Sequence, residues 1–214
     1  VQKPTTLGPP AAKLVIFRQH LVQAVGQAFG RAGLGCVLDQ ALGQVVVLVG
    51  GAALADDGVV HANRGVAGID GCTSTAVGWA AATGKSTWLV TGDVAFHYDA
   101  NALLTDPLPP ELRIVVMNNG GGGIFRWLPG TQHPDLFERH FETPPNRTVE
   151  AQARAMGATH FLASNEAELR EALSNVLRAP GPTVLEVKTP SAQSATVLTD
   201  YLAAFRRETK STFS

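Results

Sequence analysis

Short apolar runs rich in β-branched residues alternate with stretches of helical periodicity along the chain. The apolar runs predict strands at residues 45–49, 87–90, 113–117 and 183–187. Apolar residues recur every three or four positions in the stretches 11–31, 74–83, 98–104, 149–156 and 166–177, which predicts helices there. Because the run at 45–49 is continuously apolar, we expect a strand of a parallel sheet that is covered on both faces. The alternation predicts the α/β class: a doubly wound, mostly parallel sheet with helices on both faces.

The ends of the chain differ in pattern from its middle. Residues 1–10 are rich in Pro, Thr and Gly and lack an initiator Met, which is typical of a linker or a cut end. We therefore expect a linker and a leading amphipathic helix over residues 1–44, one α/β domain over 45–190, and a helical tail over 191–214. The irregular stretch 128–147 is too long for a simple connection, so we expect a functional or ordering loop there.

Composition narrows the possible partners and compartment. With 214 residues, 45% of them hydrophobic and 16% charged, the chain can form one large globular domain. The net charge of −1 is spread along the sequence, so no broad field favours nucleic acid or an anionic membrane. No apolar run approaches the ~20 residues of a membrane span. The two cysteines, Cys36 and Cys72, are too far apart for a CxxC pair, and we expect a cytoplasmic protein without nucleic-acid or membrane partners.

Polar residues follow two of the predicted strands where each strand ends. Gly92-Asp93 follows one strand and Asn118-Asn119 follows the next, with Asp93 and Asn119 separated by 119 − 93 = 26 positions. That interval holds one helix and one strand, so a parallel sheet would bring a carboxylate and an amide oxygen together at its carboxyl edge. Oxygen ligands of this kind suit Mg²⁺ or Mn²⁺ together with a phosphate-bearing cofactor. N–H groups after Asp93 and the glycines 120–123 would admit the phosphate, although either dipeptide alone is also an ordinary turn.

Longer segments around these residues resemble a known family. Asp93 and Asn119 lie in a GD…NN pair that resembles the signature by which thiamine diphosphate (ThDP) enzymes hold the cofactor diphosphate through Mg²⁺. Residues 63–71, NRGVAGIDG, followed by Ser-Thr-Ala, resemble the NRG-x-x-GIDG-x-x-ST block of the SEPHCHC synthase (MenD) family of the menaquinone pathway. Three more segments resemble that family: GDVAFHYDANAL at 92–103, NNGGGGIF at 118–125 and VLEVK at 184–188. The resemblance covers residues 62–189 and implies a ThDP diphosphate- and Mg²⁺-binding domain over 45–190.

The resemblance implies roles for individual residues. The metal ligands would be the side chains of Asp93 and Asn119 and the backbone carbonyl of Gly121. The residues that contact the cofactor would be Gly92, Asp93, Val94, Ala95, Asn119, Gly121, Gly122, Ile124 and Phe125. Two residues would serve catalysis: Ile69 as the apolar wedge that bends ThDP, and Arg64 as the arginine that meets a substrate carboxylate. The structural alternatives are core packing for Ile69, Ile124 and Phe125, and a surface salt bridge for Arg64.

The implied reaction is decarboxylation of 2-oxoglutarate on ThDP, followed by addition of the succinyl carbanion equivalent to isochorismate, in a homo-oligomeric transferase. An aminopyrimidine-binding domain from the same or a partner chain would supply the glutamate that completes the site, so we expect this chain alone to be inactive. The sequence departs from the family at residues 50–57, GGAALADD, where Gly-Asn-Ser and an Arg are usual.

Three alternatives remain open. The first is another ThDP-dependent 2-oxoacid decarboxylase or carboligase, and the second is a catalytically silent assembly domain that needs a partner. The third, a flavodoxin-like nucleotide binder, would need a GxGxxG fingerprint after residues 45–49, which this sequence does not have.

Overall fold

The strands of the sheet account for the apolar runs of the sequence. The computed structural model describes residues 46–49 and 59–62 at the level of the backbone, and residues 68–126, 136–145 and 147–190. The strands in this part of the chain are β1 (Val46–Val49), β2 (Val59–Ala62), β3 (Thr87–Gly92), β4 (Leu112–Asn118), β5 (Thr159–Ala163) and β6 (Thr183–Lys188). The predicted helix at 11–31, the rest of residues 1–44 and the predicted tail at 191–214 lie outside the described residues.

Helices connect these strands. The described α-helices are α1 (Cys72–Thr83), α2 (Asp93–Tyr98), α3 (Val149–Ala155) and α4 (Glu166–Arg178). Two 3₁₀-helices (Ala100–Leu104 and Gly123–Arg126) and a π-helix (Phe137–Glu142) complete them. Side-chain caps begin the last two α-helices, since Thr148 accepts from the Ala151 N–H and Asn165 accepts from the Glu168 N–H. None of the described helices has the length and apolar character that a membrane crossing requires.

The sheet is mostly parallel, as predicted. Its order is β2-β1-β3-β4-β6-β5, and β3, β4, β6 and β5 pair in parallel. The expectation for residues 45–49 was wrong in direction, because β1 runs antiparallel to both β2 and β3. A continuous apolar run indicates burial on both faces but carries no information about strand direction, which pairing with distant segments decides.

Helices cover both faces of the sheet. On one face, Ile114 and Val116 of β4 pack with residues of α1 and α3 in one buried cluster. On the opposite face, Val115 of β4 packs with Leu169 and neighbouring residues of α4 in a second cluster. Successive residues of a strand point to opposite faces, so β4 contributes to both cores. This two-sided burial confirms the doubly wound α/β class.

Some elements differ from the predictions. The helix expected at 98–104 is instead α2, which begins at Asp93, followed by the 3₁₀-helix Ala100–Leu104. Two strands, β2 and β5, had no prediction. In β5, a strand at the sheet edge, Thr159 and Leu162 are exposed, so its sequence lacks the continuous apolar run of a central strand.

Candidate functional site

The ends of β3 and β4 bring Asp93 and Asn119 together. The two strands pair in parallel with Gly92 opposite Met117, so both chains leave the sheet side by side at its carboxyl edge. Asp93 begins α2 directly after Gly92, whose backbone is extended. A terminal atom of the Asn119 carboxamide lies 3.1 Å from Oδ1 of Asp93 and 2.7 Å from the carbonyl oxygen of Gly121. The structure therefore brings together the three residues singled out as metal ligands.

The orientation of the Asn119 carboxamide determines what this cluster can bind. With its nitrogen turned inward, the amide donates to both the Asp93 carboxylate and the Gly121 carbonyl. With its oxygen turned inward, the amide oxygen lies within hydrogen-bond distance of two other oxygens, Asp93 Oδ1 and the Gly121 carbonyl oxygen. Oxygens at such separations repel unless a cation lies among them, and an amide can rotate between the two orientations. The cluster thus has a satisfied form without a cation and an all-oxygen form for a hard cation such as Mg²⁺.

The Asp93 carboxylate is buried, and its hydrogen bonds do not fully replace the hydration that it loses. The residue is 2% exposed, and its Oδ2 atom has no hydrogen-bond partner among the described residues. Burial raises the pKa of Asp93 to about 6, although the N–H groups of Val94, Asp93 and Gly121 and the charge of His97 act to lower it. An unpaired carboxylate oxygen in such surroundings costs free energy that a bound cation would offset. The donor set and the unpartnered oxygen therefore fit a divalent metal ion.

Side chains at positions 121 and 123 of the glycine-rich loop after β4 would collide with neighbouring groups. Gly121 has a φ of 142°, and a Cβ there would lie 2.5 Å from the carbonyl oxygen of Glu142. A Cβ at Gly123 would overlap the Asn119 carboxamide. The Gly122 N–H donates to the Glu142 carbonyl oxygen at 2.7 Å, so it is already engaged. Side chains at 121 or 123 would displace the loop or the Asn119 amide.

The π-helix Phe137–Glu142 packs against this loop. Arg126 donates from Nε to Oε1 of Glu142 at 2.6 Å, and its Nη2 pairs with the other carboxylate oxygen. The Arg126 guanidinium also lies 5.1 Å from the ring centroid of Phe137, and the Phe125 and Phe141 rings meet edge to face at 5.7 Å. The sequence predicted a functional or ordering loop over residues 128–147, without this helical turn. The Phe137 and Phe141 pair, four residues apart, could have indicated this helical turn.

The segment that contains Ile69 is tied to the same edge of the structure. Ile69 is half-buried and belongs to neither core cluster. It precedes α1, where the N–H and hydroxyl of Ser74 donate to the two carboxylate oxygens of Asp99 at 2.7 Å and 2.6 Å. Asp99 follows α2, so these bonds join the start of α1 to the end of the helix that carries Asp93. Among the described residues, the apolar side chain of Ile69 therefore lies outside both core clusters.

The other predicted site residues divide between described and undescribed parts of the chain. Val94 is half-buried and Ala95 is buried in the first turn of α2, where N–H groups have no intrahelical acceptor. Phe125 is half-buried against Phe141. Arg64, residues 50–57 and the side chain of Ile124 lie outside the described residues. Within the described residues, no three His, Cys, Asp or Glu side chains form a metal cluster, and the site is instead one carboxylate, one amide and one carbonyl.

Known proteins are similar to this chain over the region that contains these residues. A family model described as "Thiamine pyrophosphate enzyme, C-terminal TPP binding domain" matches residues 55–187. The chain is 44% identical over 145 residues to 2-succinyl-5-enolpyruvyl-6-hydroxy-3-cyclohexene-1-carboxylate synthase from Flavobacterium johnsoniae, a match that covers 66% of this chain and 26% of that protein. Proteins of the same name from Flavobacterium psychrophilum and Porphyromonas gingivalis are 43% and 41% identical over 142 and 140 residues. Those matches cover 66% and 65% of this chain and 26% and 24% of the two relatives.

The chain thus spans about a quarter of the length of the curated relatives that it matches. The family match, in contrast, extends over more than half of the chain and includes both strand-end loops. The chain belongs to the thiamine pyrophosphate enzyme family, as its C-terminal TPP-binding domain.

Proposed function

We propose that this domain holds the diphosphate of ThDP through Mg²⁺, or Mn²⁺, in a 2-succinyl-5-enolpyruvyl-6-hydroxy-3-cyclohexene-1-carboxylate synthase. The observation that carries the proposal is the buried Oδ2 of Asp93, which has no partner among the described residues, beside the Asn119 amide and the Gly121 carbonyl. The names of the relatives support the choice of reaction within the family.

The metal would take the Asp93 carboxylate, the Asn119 amide oxygen and the Gly121 carbonyl oxygen as protein ligands. Mg²⁺ completes such a set with phosphate oxygens and water, and the first turn of α2, which includes Val94 and Ala95, would lie against the diphosphate. Because the Gly122 N–H already donates to Glu142, Gly122 would contact the cofactor through its Cα or carbonyl rather than its N–H. Because Gly92 has no side chain, the cofactor could approach its backbone closely.

ThDP, when bound, provides a centre that stabilises the negative charge left when a 2-oxoacid loses carbon dioxide. We assign Ile69 the support of the bent cofactor, because it is an apolar side chain outside both core clusters. Phe125, half-buried against Phe141, would with Ile124 line the apolar part of the cofactor site. Arg64 would pair with a carboxylate of 2-oxoglutarate or isochorismate, for which the two parallel N–H donors of a guanidinium are suited.

The proposal includes a second binding domain. The described site accounts for the diphosphate and metal end of the cofactor, so the aminopyrimidine end needs groups from another domain of the same or a partner chain. We propose that the aminopyrimidine-binding domain completes the site in a cytoplasmic homo-oligomer. The 214-residue chain alone would not turn over substrate.

A turnover assay tests the proposal. Carbon dioxide release from 2-oxoglutarate and consumption of isochorismate should both require ThDP and Mg²⁺ in the intact protein, and Asp93→Ala should abolish both. Gly78→Ala is the matched control, because a Cβ at this exposed position of α1 meets no atom within 4 Å. Undiminished activity and unchanged calorimetric ThDP affinity in Asp93→Ala would contradict the site assignment. The isolated chain should bind ThDP with Mg²⁺ but release no carbon dioxide until the aminopyrimidine-binding domain is added.

One sequence feature favours a different substrate within the same reaction class. Asp56 and Asp57 stand in the segment where the family usually has an Arg. An acidic residue in that position would disfavour a dicarboxylate such as 2-oxoglutarate, whereas a monocarboxylic 2-oxoacid would suffer less repulsion. Pyruvate should therefore be assayed beside 2-oxoglutarate. A higher kcat/KM for pyruvate would make the chain part of a ThDP-dependent 2-oxoacid decarboxylase or carboligase instead.

A further inference from the structure

A line of hydrogen bonds crosses three neighbouring strands and ends on the glycine-rich loop. His160 Nε2 of β5 lies 3.0 Å from Oε2 of Glu186 in β6, and Oε1 of Glu186 accepts from Nδ2 of Asn118 in β4 at 2.7 Å. Oδ1 of Asn118 then accepts from the Gly120 N–H at 2.9 Å. The line therefore connects the buried face of the sheet to the residue directly after Asn119.

Glu186 is an ionisable residue in an otherwise apolar part of its strand. It is 4% exposed, while its neighbours Leu185 and Val187 are fully buried in the core on the opposite face. Burial acts to raise the pKa of Glu186, but the hydrogen bonds from His160 and Asn118 and the charges of His160 and Lys188 outweigh it and lower the pKa. A charge buried at this depth destabilises a fold unless its partners are well placed. A leucine would fill the same position without that cost, so packing alone does not explain a glutamate here.

The two hydrogen-bond partners of Glu186 have different structural roles. His160 is itself buried and holds one carboxylate oxygen from the β5 side. Asn118 is the last residue of β4, and its side chain bridges Glu186 to the Gly120 N–H, while its backbone carbonyl accepts from the Thr189 N–H at 2.8 Å. The turn 118–120 is therefore anchored to β6 by a side chain and by the backbone.

The anchored turn is the one that presents the metal ligands. Asn119 lies between Asn118 and Gly120, and Gly120 has a φ of 82°. If the Asn118 side chain no longer accepted a hydrogen bond from the Gly120 N–H, this turn would relax. The Asn119 amide would then move away from Asp93. Among the described residues, Glu186 and Asn118 also border a cleft of about 310 Å³ that reaches Gly120.

We propose that Glu186, oriented by His160, is a positioning residue for the metal ion: through Asn118 it fixes the turn that directs the Asn119 amide and the Gly121 carbonyl toward Asp93. This inference rests on the proposed cofactor function. Glu186 would act on the metal ligands through its hydrogen bond to Asn118.

The test compares variants of the intact protein by Mn²⁺ affinity in the presence of ThDP, measured by electron paramagnetic resonance of the free ion, and by deuterium uptake of the 119–123 peptide without ligands. Glu186→Leu and Asn118→Ala should each weaken Mn²⁺ binding about 10- to 100-fold, as loss of outer-shell partners does, and speed exchange in the loop. Glu186→Gln, which can accept from Asn118 and donate to His160, should restore most of the affinity. Adding Glu186→Leu to Asn118→Ala should cause no further loss, because both act through one line of bonds.

Arg113→Met provides the control for general destabilisation. Arg113 is also buried and charged, but it lies at the opposite end of β4, where it donates to the carbonyls of Pro110, Ala179 and Gly181. This variant should lower Tm and leave Mn²⁺ affinity unchanged. Equal loss of affinity in Arg113→Met, or unchanged affinity in folded Glu186→Leu and Asn118→Ala, would overturn the inference. Should Glu186→Leu fail to fold, Asn118→Ala and Glu186→Gln decide the question.

Asp93→Ala separates the two proposals. If Asp93→Ala binds Mn²⁺ and ThDP normally, the proposed function fails. If it abolishes binding while Glu186→Leu and Asn118→Ala retain it, only the positioning role fails.

Discussion

Replacing Asp93 by Asn should stabilise the ligand-free protein at neutral pH while removing its response to Mg²⁺. The substitution keeps the shape of the side chain and removes its charge. In the structure that charge is buried, and one of its two oxygens has no partner among the described residues. A site of this kind lowers stability in exchange for function.

The magnitude follows from the pKa of Asp93, which burial raises from an ordinary value of 3.8 to about 6. A carboxyl group whose pKa is higher in the folded state binds protons more tightly there, so stability falls as pH rises between these two values. The penalty is absent below both pKa values, about 1.5 kcal/mol near pH 5 and about 3 kcal/mol above pH 7, at roughly 1.4 kcal/mol per unit. The Asn amide can leave a donor unpaired at a cost of about 1–3 kcal/mol, but that cost does not vary with pH.

Urea unfolding of the wild-type protein and the Asp93→Asn variant, with EDTA and without ThDP, measures this effect. The unfolding free energy of the variant minus that of the wild type should increase by about 1.5 kcal/mol from about pH 5 to about pH 7.5. Added Mg²⁺ and ThDP should then raise the stability of the wild type alone, by about 2.7 kcal/mol at a hundredfold excess over Kd.

Two results would refute this reasoning. A stability difference that stays constant over that pH range would mean that the Asp93 carboxylate is not desolvated as described. Equal stabilisation of both proteins by Mg²⁺ and ThDP would mean that the carboxylate is not a metal ligand. The Gly78→Ala variant serves as the reference, with unchanged pH dependence and unchanged response to ligands.

Three further predictions concern the loop and one helix. Gly123→Ala should weaken Mg²⁺-dependent ThDP binding at least tenfold by calorimetry, because its Cβ would displace the Asn119 carboxamide; normal affinity would show that the loop tolerates the overlap. Glu142→Gln should speed deuterium exchange in the glycine-rich loop, because it removes the carboxylate of the ion pair to Arg126; unchanged exchange would assign the hold to the aromatic contacts. Asn165→Ala should lower the free energy of unfolding by about 1 kcal/mol through loss of the α4 cap, measured in urea, with no change in ThDP affinity.

The sequence by itself determined the class of the fold and the meeting of Asp93 with Asn119. Apolar runs and helical periodicity are local properties, and they were sufficient to predict strands at 87–90, 113–117 and 183–187 and the helices α1, α3 and α4. The pairing of Asp93 with Asn119 also followed from sequence, because residues at the ends of neighbouring parallel strands must meet at one edge of the sheet.

Only the tertiary structure decided the direction of β1 and the contacts that support the glycine-rich loop. Strand direction depends on which distant segment pairs with the strand, and β2, its antiparallel partner, had no signal of its own. The ion pair between Arg126 and Glu142, which supports the loop, also depends on folding, because the two residues are 16 positions apart in the sequence. The bond from Glu186 to Asn118 spans 68 positions. Neither carboxylate has a sequence neighbour that marks its role, because each is defined by partners that only folding brings within hydrogen-bond distance.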